Sequence, residues 1–241
     1  MIGLVAALPQ EVVSLIGPLK PGGSATLGTQ CRVQLSGMGP DNARRAALAL
    51  ADAGATRLLS WGSAGGITPA LSTGALLLPF TVRSAAGQSF AASPAWHQRL
   101  HAQLSKAMPV HTGDLLEVSQ VVTTPQEKQR LFQSTGALAI DMESAAIAQV
   151  AAQRGLAFAA LRVVLDSAQH TLPQAVLVAV DTAGHLQLGA LLRALLLRPQ
   201  DLARLLQLRS ALRLTQSRLG QVAALTGLRP PTPRLAKAVA R

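Results

Sequence analysis

Residues 138–152 read LAIDMESAAIAQVAA, an acidic pair, Asp141 and Glu143, at the mouth of an otherwise apolar run. The spacing predicts a helix over 142–154, and AFAALRVVL (157–165) follows it as an apolar strand. Started near Met142, that helix carries Glu143, Ile147, Val150 and Ala151 at i, i+4, i+7 and i+8, so Glu143 falls on the apolar stripe and faces inward. A carboxylate buried without partners is costly. Two readings account for it. One is a capping or core ion pair, with Arg162 as the candidate partner. The other is a carboxylate kept ionised by the helix N-terminus and held in a crevice, where it accepts hydrogen bonds from paired hydroxyls.

Outward from this stretch the same alternation fills residues 1–185. Strands are expected over IGLVAAL (2–8), RVQLSG (32–37), RLLSWG (57–62), ALLLPFTV (75–82) and 157–165, and helices over 41–53, 94–107, 125–133 and 142–154. Short apolar runs alternating with Ala-rich helices are the pattern of a layered α/β domain. A length of 241 residues, 49% hydrophobic, suits one large domain better than two small ones. No apolar run reaches the ~20 uncharged residues of a spanning helix, and the N-terminus lacks the basic region and cleavage site of a signal peptide. A cytoplasmic protein is expected.

One cysteine, Cys31, excludes an internal disulfide and a cysteine-based metal cluster, and reads as a buried small residue. His97 and His101 are four apart but enclose no Glu in the zinc-protease pattern. They read as part of a surface helix, and no metal is expected.

The net charge of +11 is uneven. Residues 193–241 hold ten Lys or Arg and one acid, Asp201, so the body is nearly neutral and the tail basic. The tail lacks the aromatic rings that stack on bases, which argues against nucleic acid. Instead Leu205, Leu208, Leu212 and Leu219 fall on one narrow helical face, with Arg204, Arg209, Arg213 and Arg218 outside it. That pattern suits an anionic membrane surface or a partner helix, and equally a docked terminal helix with a solvated basic face. Pro199 divides the tail into two helical pieces, and residues 227–241 have the Pro and charge content of a loosely held end.

The informative polar residues directly follow strands. Pro9 to Glu11 follow the first, GMGPDN (37–42) the second, GSAGG (62–66) the third and Asp166 the last. In open α/β sheets ligands bind outside the carboxyl ends of the strands, so these segments are expected to line one crevice. GSAGG reads as a Gly-rich turn whose amides approach an anion or sugar closely. It is not a nucleophile elbow, because Trp61 stands where G-x-S-x-G requires Gly, and it lacks G-x-G-x-x-G spacing.

GLVAALPQEV, LSGMGPDNA, LLSWGSAGGI, AIDMESAAIA and LRVVLDSA together resemble, in order and approximate spacing, the purine nucleoside phosphorylase and nucleosidase superfamily over residues 2 to 190. The resemblance implies a three-layer α/β/α fold with a central mixed sheet, here carrying a C-terminal helical extension. It divides the chain into a catalytic domain (1–190), a basic Leu/Arg-rich helical extension (191–226) and a flexible tail (227–241). The tail, the segment DSAQHTLPQAVLVAVDTAG and the length look most like bacterial hopanoid-associated phosphorylases, which are thought to remove adenine from adenosylhopane.

Cleaving an N-glycosidic bond to a purine passes through a ribosyl cation, so the base must be protonated and the sugar's charge stabilised. By the resemblance, Asp166 is the general acid at purine N7, and Glu143 with the Met142 backbone holds the ribose 2′- and 3′-hydroxyls. Ser63, Gly65 and Gly66 lie against the ribose or its nucleophile, and Val121, Val122 and Thr123 match the base-contacting segment. Nucleosidases commonly present an aromatic ring there and a Ser before the acid; this chain has valines and Leu165. Glu11 matches the carboxylate that activates water, which points to hydrolysis. Arg44 and Arg45 are candidates for binding phosphate, which is then a co-substrate, and the phosphorylase label points to phosphorolysis. No other cofactor is implied. The expected partners are a small-molecule or lipid-linked adenosyl nucleoside, an anionic membrane surface and further copies of the chain. Two other readings stay open: a soluble methylthioadenosine or adenosylhomocysteine nucleosidase, and a non-catalytic membrane-associated binding protein.

Overall fold

The computed structural model describes residues 1–20, 22–172 and 201–228. The expected tail beyond Leu228, the break at Pro199 and the domain boundary at 190 lie outside the described residues.

Among the described residues eleven strands form one mixed sheet. They are β1 (Ile2–Ala6), β2 (Ser24–Leu27), β3 (Cys31–Leu35), β4 (Arg57–Gly66), β5 (Leu76–Leu77), β6 (Thr81–Arg83), β7 (Ser89–Ala91), β8 (Val110–His111), β9 (Leu115–Glu117), β10 (Ala139–Asp141) and β11 (Ala157–Asp166). The helices are α1 (Pro9–Ile16), α2 (Pro40–Asp52), α3 (Pro94–Leu104), α4 (Pro125–Thr135), α5 (Ser144–Arg154) and α6 (Asp201–Leu225). β3, β1, β4 and β11 run parallel, while β10 pairs antiparallel with the far end of β4 and carries β9, β6 and β7 beyond it.

The period-2 alternation of the central strands makes the three layers. In β11, Ala159, Leu161 and Val163 face one core with Val12 and Leu15 of α1, Trp96 and Leu100 of α3, and Leu219 and Val222 of α6. Phe158, Ala160 and Val164 face the other, with Ala43, Ala47 and Leu50 of α2 and Ala145, Ile147 and Ala151 of α5. Each wholly buried Leu or Val contributes about 1.5–3 kcal/mol. The alanines of α2 and α5 let these two helices pack closely side by side.

The structure revises several local expectations. GSAGG is no turn: β4 continues through Gly66, because β11 pairs along its length and β10 pairs with Gly65 and Gly66. ALLLPFTV is two strands, β5 and β6, separated by Pro79, which has no N–H for a ladder. Pro9 to Glu11 open a helix, with Pro9 at its first position, where a missing N–H costs nothing. His97 is buried rather than on a surface helix face; its Nε2 lies 3.0 Å from the Leu78 carbonyl oxygen and its ring stacks on Phe80. Cys31, by contrast, is buried as expected, and burial pushes its thiol up to about 11.

Helix α6 lies against α1 and β11. Thr215, Leu219, Val222 and Ala223 are buried, while Arg204, Leu206, Arg209, Arg213 and Leu214 are exposed. Among the described residues no helix is long and apolar enough to cross a membrane.

Candidate functional site

The C-terminal ends of β1, β4, β10 and β11 open on a cleft of about 170 Å³. Glu11, Ser63, Gly65, Met142, Glu143 and Asp166 line it together.

Glu11 sits in the first turn of α1 and turns its carboxylate back to the strand it came from. Oε2 accepts the amides of Ala7 and Leu8, both at 3.1 Å, much as the acidic member of a capping box does. Oε1 accepts the Ser63 amide at 2.8 Å and the Ser63 hydroxyl at 2.7 Å. The indole N–H of Trp61 donates to the Glu11 carbonyl at 3.0 Å, so backbone and side chain are both tied to β4. The seat exists because residue 62 is Gly: a Cβ there would stand 2.6–2.7 Å from the Glu11 carboxylate atoms.

Glu143 faces inward for a reason other than helical periodicity. Helix α5 starts at Ser144, not near Met142, and Glu143 is its N-cap residue. Its Oε1 accepts the amide of Gly39, at the start of α2, at 2.8 Å, and its Oε2 accepts the Met142 amide at 3.2 Å. Gly39 reaches it with φ +94, a conformation that costs other residues strain. Burial, then the nearby Asp141 carboxylate, pushes the Glu143 carboxyl up against the pull of Arg162.

Arg162 is not the partner of Glu143. Its Nε donates to Asp141 Oδ2 at 2.8 Å, and its Nη2 donates to the hydroxyls of Ser60 at 2.7 Å and Ser144 at 2.9 Å. Ser144 Oγ in turn donates to Asp141. Asp141 thus answers to the core and Glu143 to the cleft. Two carboxylates two positions apart, with Met142 between them, take the two roles.

Asp166 ends β11, and a bulge between Val164 and Asp166 lets both Leu165 and Asp166 face the cleft. Burial pushes the Asp166 carboxyl up; the Lys128 ammonium and, more weakly, His170 pull the other way. Lys128 of α4 is wholly enclosed and ion-paired with Asp166. Sequence reasoning did not single it out, because a lysine in the polar helix PQEKQRLFQST reads as solvated.

Val121 and Val122 line the cleft with Val118, Ile140 and Leu172, forming an apolar wall. Thr123 is outside the lining; its carbonyl accepts the Leu172 amide at 3.0 Å and holds that residue in the wall. Gly66 packs against Val164 and is likewise behind the cleft surface. Arg44 and Arg45 are not brought to it: they lie on α2 away from the opening, Arg45 bonded to Asn42 and Arg44 near Glu117. Met38 and Leu172 line the site and were not expected. Among the described residues no group of three or more His, Cys, Asp or Glu is placed to hold a metal.

Residues 2–196 match the family description of the phosphorylase superfamily. The fold is similar to a 5′-methylthioadenosine/S-adenosylhomocysteine nucleosidase from Neisseria meningitidis, with 18% identity over 94% of this chain and 98% of that one and a TM-score of 0.70. It is also similar to the futalosine hydrolase of Helicobacter pylori, with 14% identity over 94% and 96% and a TM-score of 0.69. A third similar structure is the nucleosidase of S. pneumoniae, with 18% identity over 95% and 98% and a TM-score of 0.67. The curated protein sequences contain no match.

Proposed function

Because the chain belongs to the phosphorylase superfamily, we propose that it cleaves the N-glycosidic bond of a purine nucleoside, with water as the nucleophile. The observation that carries this is the convergence of Glu11, Ser63, Glu143 and Asp166 on one cleft beside an apolar wall. The purine lies against Val118, Val121, Val122 and Ile140. Glu143 accepts the ribose hydroxyls. The positive charge that grows on the sugar as the bond to the base lengthens favours the ionised form of Glu143, against the upward push of burial, so that the carboxylate stabilises that charge. Asp166 gives a proton to N7 as the bonding electron pair moves onto the base. Glu11 takes the proton of the attacking water, and Ser63 fixes that carboxylate.

Hydrolysis is favoured over phosphorolysis by charge. The nucleophile end is occupied by Glu11, and among the described residues no Lys or Arg lines the cleft to offset a phosphate. The solved nucleosidases and futalosine hydrolase of like fold are named for reactions of this kind, which supports the reading.

The substrate we infer is an adenosyl group, carried on a lipid. The outer face of α6 supports this: exposed Leu206 and Leu214 flank exposed Arg209 and Arg213, a surface suited to anionic headgroups. The test is adenine release from adenosylhopane in liposomes and from methylthioadenosine, each with and without phosphate. Phosphate-independent release from the lipid supports the whole reading. Phosphate-dependent release refutes the role of water, release from methylthioadenosine alone refutes the lipid, and no release from either refutes the reaction.

A further inference from the structure

We propose that Lys128 is the positioning residue of the acid: it fixes Asp166 from behind and sets the pH at which that carboxyl holds a proton for the leaving base. This rests on Asp166 being the acid of the reaction proposed above.

The three N–H bonds of the Lys128 ammonium are all committed. One goes to Asp166 Oδ2, one to the Ser167 carbonyl at 2.8 Å and one to the His170 carbonyl at 3.0 Å. The side chain is fully enclosed and does not line the cleft. Lysine is almost never buried to this degree unless it is paired, and an ammonium left there alone would be strongly destabilising. It therefore has no proton to offer a substrate and no path to one. Its action is on Asp166 alone.

That action has two parts. The two carbonyl bonds tie the turn after β11 to α4, so the strand end that carries Asp166 cannot drift. The ion pair takes Oδ2, which leaves Oδ1 as the oxygen nearer Gly65 at the cleft surface. The proton for N7 sits on Oδ1, arrives from solvent through the open cleft, and leaves with the base while Lys128 stays an ammonium. A cation at contact distance lowers an aspartate by about 1–3 pH units, which opposes the effect of burial. The other charges around Asp166 are few. The exposed His170 has its Nδ1 2.9 Å from Ser167 Oγ; Arg204 of α6 lines a small cavity with Asp166 and His170; Glu11 and Glu143 stand across the cleft.

The test is a carbon-13 NMR titration of the Asp166 carboxyl in the full chain without substrate, assigned with Asp166→Asn. Wild type, Lys128→Gln, Lys128→Arg and His170→Gln are compared, and kcat/KM is followed against pH in each. Lys128→Gln keeps hydrogen-bond donors but not the charge, and is expected to titrate at least about one unit higher. Lys128→Arg and His170→Gln stay within a few tenths of wild type. The alkaline limb of kcat/KM moves with the carboxyl while KM holds. An unchanged titration in Lys128→Gln, or a limb that stays put while the carboxyl moves, overturns the proposal. A chain that shows the shifted titration yet cleaves no nucleoside upholds the pairing and refutes the reaction instead. Should Lys128→Gln fail to fold, the wild-type Lys128 Nζ nitrogen-15 signal serves: it must step where Asp166 titrates, and a flat signal overturns the proposal.

Discussion

The amide and the hydroxyl of Ser63 donate to the same oxygen of Glu11, at 2.8 and 2.7 Å. A single oxygen holding two short bonds from one residue is fixed in angle as well as in distance. Oε2 is held separately by Ala7 and Leu8. Glu11→Gln should lower kcat by about 10²–10⁴-fold with little change in KM, since it removes a base and keeps the shape. Ser63→Ala removes one of four bonds and should lose less, about tenfold. Steady-state kinetics of the two variants check the order.

Gly62→Ala should reproduce the loss of Glu11→Gln without touching either residue. The added Cβ would meet the Glu11 carboxylate at 2.6–2.7 Å, so the side chain must swing out of its seat. Far-ultraviolet circular dichroism unchanged beside a collapse of kcat is the expected pair of results. Full activity would show that the seat is dispensable.

In the proposed reaction Asp166 serves as an acid only while protonated, and burial pushes its carboxyl up from the ordinary aspartate value. The rate should therefore hold through mildly acidic pH and fall, with unit slope in log kcat/KM, as pH rises through the raised value. Asp166→Asn should lose about 10²–10⁴-fold at every pH and show no such limb. A wild-type profile that instead rises with pH over this range would remove Asp166 from the role.

Glu117 is buried behind the site, and burial pushes its carboxyl up to about 7, against the Ala146 amide that donates to it at 2.8 Å. Its folded value lies above the unfolded one, near 4.5, so the native state binds the extra proton. Stability should be fullest below about pH 4.5 for this group and fall as pH rises to about 7. Glu117→Gln keeps the acceptor and removes the titration. It should stabilise the chain at pH 8 by on the order of 1–3 kcal/mol, with little effect at pH 4.5, in urea unfolding at both pH values.

The Asp141–Arg162 pair is buried on both sides, with N–O distances down to 2.6 Å. Arg162→Met leaves a buried carboxylate and two serines without their donor, and should cost about 3–5 kcal/mol. Asp141→Leu with Arg162→Met should recover much of that, because no lone charge remains. Denaturant midpoints of the single and double variants decide it.

Much of this could be read from the chain. The alternation of apolar runs with Ala-rich helices predicts a layered α/β domain because parallel strands buried on both faces leave continuous apolar runs. The strand-end segments carrying Glu11, Ser63 and Asp166 point to a single crevice, and the family resemblance adds Glu143 to it. Two things stayed hidden. Glu143 is placed by an amide of Gly39, over a hundred residues away, and no local period encodes that contact. Lys128 sits in a helix of polar composition, so only the turn folded over it takes it out of water. The short strands β7, β8 and β9 carry two or three residues each, too few to show a period.

Helix α6 does more than present a basic outer face. Its inner side packs on α1, where a Cβ on Gly220 would stand 3.2 Å from Ser14, and α1 is the helix that carries Glu11. Helix α6 is thus a buttress for the Glu11 side of the cleft. Sequence drift along α6 should be lopsided: the solvent-facing positions are free to follow whatever surface the protein meets, while Thr215, Leu219, Val222 and Ala223 are bound to the shape of the cleft.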